Sequence, residues 1–164
     1  MTAPSPAAIE MIERLIGFQT VSRDSNLELI HWVRDYLKGL GVESLLSFDH
    51  DGRKANLYAT LGPKDRPGIM LSGHTDVVPI DGQEWVTDPF KATRKGDKLY
   101  GRGTCDMKSF VAIALAMAPD FLKANLKTPI HYAFSFDEEV GCIGVRHLIE
   151  QIRPLPVKPK ACIV

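Results

Sequence analysis

Ile69-Met70-Leu71-Ser72-Gly73-His74-Thr75-Asp76 passes within eight residues from an apolar run to a polar, titratable one. The apolar part, Gly68 to Ser72, is short enough for a buried strand and follows a turn-forming stretch, Gly62-Pro63-Lys64-Asp65-Arg66-Pro67-Gly68. The same transition recurs where the β-branched and aromatic run Ile130 to Phe136 meets Asp137-Glu138-Glu139. Between the two lies Met107 to Ala118, apolar nearly all round and therefore expected as a buried helix. Alternation of strand and helix predicts an α/β layered domain with a mixed, mostly parallel sheet between helices. In such sheets, reactive groups gather in loops beyond the carboxyl ends of the strands.

The flanks agree with that reading. Ala7 to Phe18 places Ile9, Ile12, Leu15 and Ile16 at helical spacing. Asn26 to Leu40 repeats the pattern, and Gly41 stands where a helix-ending glycine belongs. Ser44 to Phe48 and Asn56 to Leu61 read as strands, Thr93 to Tyr100 as a hairpin around Gly96-Asp97, and Gly144 to Ile152 as a helix. The final run, Lys160-Ala161-Cys162-Ile163-Val164, follows Pro154, Pro156 and Pro159 and reads as a buried strand that has only begun. The domain is therefore expected to be incomplete at its C-terminus.

The 164 residues carry no formal net charge, and 45% are hydrophobic, as in an ordinary soluble domain. Positive and negative residues are interleaved, which argues against a nucleic-acid partner. No stretch approaches the ~20 apolar residues of a membrane span. Met1 to Glu10 shows no signal-peptide pattern, and a cytoplasmic location is expected. Cys105, Cys142 and Cys162 are too few and too scattered for a disulfide framework, so reduced, mostly buried thiols are expected.

Three clusters carry candidate chemistry. In Ser72 to Pro79, His74 and Asp76 are two apart and share a face in extended chain, so the carboxylate can hold the N–H of a metal-binding imidazole. The alternative is a pair that satisfies loop hydrogen bonds. In Tyr100 to Ser109, Asp106 sits where a helix cap belongs, but a carboxylate can also bridge two divalent ions. In Ser135 to Cys142, the acids either complement a helix dipole or divide into a metal ligand and a general base. Each cluster alone is ambiguous. Together they offer donors that zinc, cobalt or manganese would take.

Gly73-His74-Thr75-Asp76-Val77-Val78-Pro79, Gly101-Arg102-Gly103-Thr104-Cys105-Asp106-Met107-Lys108 and Asp137-Glu138-Glu139 resemble, in order, the metal motifs of the dinuclear zinc aminoacylase and carboxypeptidase family. The resemblance implies a zinc-exopeptidase-like fold and two divalent ions, Zn or Co. It implies His74, Asp106 and Glu139 as metal ligands, with Asp106 shared and Glu139 on the ion His74 does not hold. It also implies Glu138 as general base, Asp76 as the residue orienting His74, and a cis peptide at Asp106-Met107. Thr104-Cys105, Val140-Gly141-Cys142, Asp81-Gly82-Gln83, Trp85 and Asp88-Pro89-Phe90 resemble the acetylornithine-cleaving subgroup. The implied partner is a small N-acyl amino acid, and the implied assembly is a homodimer of the longer protein. Residues 1–164 would then be the N-terminal part of the catalytic domain, without the dimerisation domain or the remaining ligands. A desuccinylase, another N-acyl amino acid hydrolase or dipeptidase, and an incomplete fragment with weak metal binding are the alternatives.

Overall fold

The computed structural model describes residues 4–164. Helices α1 (Pro6–Ile16) and α2 (Leu27–Gly39) open the chain, followed by strands β1 (Ser44–Phe48), β2 (Ala55–Leu61) and β3 (Ile69–His74). The hairpin β4 (Thr93–Lys95) and β5 (Lys98–Tyr100) precedes α3 (Lys108–Lys123), β6 (Ile130–Ser135), α4 (Ile143–Ile152) and β7 (Ala161–Ile163). Ser5 caps α1 by accepting from the Ala8 amide, and Gly41, at φ +79°, reverses the chain after α2.

The main sheet runs β1-β2-β6-β3-β7, and β4-β5 form a separate ribbon. β1-β2 and β2-β6 are antiparallel, while β6-β3 and β3-β7 are parallel. The sheet is thus mixed, and its parallel half carries the two strand ends of chemical interest. The β3-β6 register sets His74 opposite Ser135, so the loops leaving both strands emerge side by side.

Strand alternation builds two apolar faces. Leu57, Ala59 and Leu61 of β2 and Tyr132 and Phe134 of β6 pack under α1, α2 and α3. Tyr58 and Ala133 point the other way, under Leu148 and Ile152 of α4. The result is helices on both faces of a sheet.

Four expectations need correction. The helix expected to end at Ala118 continues through Pro119 to Lys123. Pro119 has no amide to give the Leu115 carbonyl one turn earlier, and the Tyr36 hydroxyl donates to that carbonyl instead, at 3.2 Å. Nor is α3 buried all round: Ile113 and Met117 are 47% and 40% exposed, because only one side of the helix meets the sheet. β7 is not a buried strand; all its residues are exposed, since among the described residues nothing pairs beyond it. The three cysteines are likewise exposed, lying in loops and on that edge rather than in the core.

α4 is seated by a close approach. Gly144 donates its amide to Phe136 O at 3.1 Å, and a Cβ there would stand 2.2 Å from that oxygen. Fully buried Asn56 spans the junction, donating to Gly144 O at 2.9 Å and accepting from the Phe136 amide at 3.2 Å. Gly144→Ala is therefore expected to cost about 2 kcal/mol or more through overpacking. Urea unfolding checks this, and a midpoint equal to that of the unmodified protein would show that α4 is not seated there.

Candidate metal centre

The polypeptide after β3 is pinned on both sides. Thr75 gives its amide and its hydroxyl to Ser135 O, at 2.8 and 2.9 Å. On the other side Val77 N donates to Thr20 O and Ser22 N to Val77 O, forming a short parallel bridge at Val21 and Val77. Asn26, buried, donates to Thr75 Oγ1 and to Ala55 O and accepts the Ala55 amide, each at 2.9 Å. His74 and Asp76 are thus held by segments distant in sequence.

Nδ1 of His74 lies 2.9 Å from the Asp76 carbonyl oxygen, which can only accept, so Nδ1 carries the proton. In the neutral imidazole the lone pair is consequently on Nε2, the correct tautomer for a ligand. Nε2 sits 3.0 Å from Asp106 Oδ1 and 3.7 Å from Glu138 Oε2. The carboxylate of Asp76 is farther from Nδ1, at 3.5 Å. The closer orienting contact is therefore the Asp76 backbone carbonyl rather than the carboxylate expected from the two-residue spacing.

The Asp76 carboxylate is engaged elsewhere. It accepts from Ser22 Oγ at 2.7 Å, from Glu138 N at 3.0 Å and from Glu139 N at 3.2 Å. Burial opposes its charge, but the bonds from His74, Ser22 and the Glu138 amide win and hold its pKa below the usual carboxylate value. One buried anion thereby ties the loop after β3 to the turn after β6.

Asp106 reaches the site from the start of α3. Gly103, at φ +88°, takes the turn into that helix where a Cβ would lie 2.9 Å from Val77. The Asp106-Met107 peptide is cis. Met107 occupies the cap position without a side-chain cap bond, so Asp106 is not the helix cap; its carboxylate is 70% exposed and turned toward His74. Lys108, one of the least exposed side chains, donates to Phe18 O at 2.6 Å, and burial pushes its pKa down to about 7 against the opposing charge of Asp76.

The three acids after β6 precede α4 and do not form its first turn. Asp137 turns away toward Lys54, with both oxygens within 2.7 Å of the ammonium. Lys54 is a residue that sequence reading missed, because nothing in the β1-β2 turn marks it as facing a strand end far along the chain. Glu138 stands 44% exposed beside His74 and accepts a weak bond from Cys142 Sγ.

One donor atom from each of His74, Asp106 and Glu139 lies within 4.8 Å of the others. Burial raises the pKa of Glu139, and repulsion from Asp106 adds to it. The pKa of His74 rises to about 9: burial opposes its charge, but Asp76 and Asp106 outweigh it. A buried imidazole whose Nε2 faces crowded carboxylates that gain by taking up positive charge fits a divalent cation.

Among known proteins, a family model described as Peptidase family M20/M25/M40 matches residues 70–164. Acetylornithine deacetylase of Pasteurella multocida (strain Pm70) is 35% identical over 158 residues, which is 91% of this chain and 41% of that protein. Acetylornithine deacetylase of Klebsiella pneumoniae (strain 342) is 37% identical over the same coverage of both chains. The chain thus spans about two-fifths of the length of these relatives. The solved M20 family metallo-carboxypeptidase Sso-CP2 from Sulfolobus solfataricus shares the fold at a TM-score of 0.81 and 24% identity, over 97% of this chain and 37% of that one. Human carnosine dipeptidase 1 shares it at 0.75 and 22%, over 89% and 35%. With strand ends, helix entry and acid turn arranged as described, and the family model spanning more than half of the sequence, the chain belongs to peptidase family M20/M25/M40.

Proposed function

We propose that the protein to which this chain belongs hydrolyses the amide bond of a small N-acyl amino acid, with N2-acetylornithine as substrate and ornithine and acetate as products. The chain supplies the N-terminal part of the catalytic domain of a homodimer. The observation that carries the reading is the convergence of His74 Nε2, Asp106 and Glu139 within 4.8 Å, with Glu138 beside them but outside that set. The identity of 35–37% to acetylornithine deacetylases supports the choice of substrate.

His74 and Glu139 would each hold one divalent ion, Zn or Co, and Asp106 would be shared. Members of the family generally depend on two metals. Such ions, when bound, supply Lewis-acid polarisation of an acyl oxygen and bring the pKa of water toward about 7. Glu138 is placed to move protons: it is exposed enough to meet substrate, and its Oε2 lies 3.7 Å from His74 Nε2. It accepts a proton from the attacking water as the oxygen bonds the acyl carbon. It then delivers that proton to the amide nitrogen as the carbon–nitrogen bond breaks. Asp76 takes no part in proton transfer; it fixes the tautomer of His74 and the path of the Glu138-Glu139 backbone.

In the full-length protein, replacing Glu138 by Ala should lower kcat by a factor of ~10²–10⁴ with metal content unchanged. Turnover near the unmodified rate at full metal content would remove Glu138 as the base. A panel of N2-acetylornithine, N-succinyl-diaminopimelate, other N-acyl amino acids and dipeptides tests the substrate, and the highest kcat/KM is expected for acetylornithine.

Metal and proton compete for His74. With its pKa at about 9 in the metal-free chain, metal binding must displace a proton, so apparent Co²⁺ affinity should rise about tenfold per pH unit below 9. Without metal the same proton stabilises the fold fully below the ordinary histidine value of 6.5, and that contribution fades as pH rises through about 9. Titrations at several pH values read the slope, and a flat profile would show that the metal displaces no proton from His74.

A further inference from the structure

The turn that presents Glu138 and Glu139 begins at Asp137, whose φ is +53°, a left-handed conformation disfavoured for a residue with a Cβ. Both Asp137 oxygens accept from Lys54 Nζ, at 2.6 and 2.7 Å, and the ammonium also donates to Ser22 O at 2.5 Å. All three ammonium donors are therefore used, and the two side chains are only 14% and 12% exposed. Lys54 is itself fixed. Asp49 Oδ1 accepts the amides of Arg53 and Lys54, at 2.7 and 2.9 Å, and Asp49 N donates to Lys54 O at 3.0 Å.

Ser22 joins this pair to the metal centre. Its carbonyl receives Lys54, and its hydroxyl donates to the Asp76 carboxylate that accepts the Glu138 and Glu139 amides. The acid turn is thus clamped at two points, by Asp76 on the amides of Glu138 and Glu139 and by Lys54 on the side chain just before them. We propose that Lys54 is a positioning residue: through Asp137 it fixes the turn that aims Glu139 at the metal and Glu138 at the substrate. Asp137 then serves as the counterion of Lys54 and not as a ligand. The inference rests on the metallohydrolase reading for its consequence, but not for the order of the turn itself.

The test uses Lys54→Met/Asp137→Asn, which removes one charge of each sign, leaves no buried ion unpaired and keeps the net charge at the metal centre unchanged. Lys54→Gln, which keeps a donor but no charge, is the second variant, and Lys54→Arg is the conservative one. Amide hydrogen exchange at Glu138 and Glu139, measured without metal, reads the turn directly. It should quicken roughly tenfold in the double variant and in Lys54→Gln. A Co²⁺ titration of the full-length protein, followed by visible absorption, should show affinity weakened about tenfold or more, with most of it restored in Lys54→Arg. Exchange and cobalt spectra like those of the unmodified chain, in either folded variant, would overturn the proposal. If the unmodified full-length protein takes no Co²⁺, the metallohydrolase reading fails, and exchange at the two amides still decides the role of Lys54.

Discussion

The carboxylate of Asp76 is the point through which the candidate metal centre is assembled. It is almost wholly buried, and a buried anion is tolerated only when its oxygens are hydrogen-bonded. The partners that satisfy it are the Ser22 hydroxyl and the Glu138 and Glu139 amides, so the cost of burying one charge is offset by fixing the neighbouring loops. Its own backbone carbonyl sets the His74 tautomer. Ligand orientation and acid-turn placement therefore depend on the same residue, the first on its backbone carbonyl and the second on its carboxylate.

The acids show how identical chemistry is given different work by surroundings. Asp137, Glu138 and Glu139 are consecutive, yet one is neutralised by a lysine, one faces outward beside the imidazole, and one joins the donor set. Asp106 is the counterpart on the helix side, exposed and held by little beyond His74. A rigid side at Asp76 and an open side at Asp106 leave the approach to the cluster from solvent.

Much of this was readable from the chain because the informative residues lie at strand ends. An apolar run that stops at His74, and another that stops at Asp137, announce both the strands and what they carry. The apolar periods of α1 and α2 were equally plain. What could not be read were pairings across long separations: Lys54 with Asp137, Ser22 with Asp76, and Asn26 with Ala55 and Thr75. None has a local signature, since each partner would satisfy itself as well in water. The extension of α3 past Pro119 was hidden for the same reason, as it turns on a hydroxyl from α2. The thiols misled because cysteine's general preference for burial says nothing about a given loop.

The parallel pairing of β3 with β6 has a further meaning. Successive strand side chains point to opposite faces, so a slip of one residue would exchange the faces of a whole strand. With His74 opposite Ser135, such a slip would keep most of the ladder while turning the imidazole away from Asp106 and carrying Thr75 off its acceptor. The apolar residues of β6 that lie under α3 would no longer meet their neighbours on β3 in the same layers. Folding accuracy and the placing of the donor groups are in this way one specification: the core that rejects a misaligned strand also proofreads the candidate metal centre.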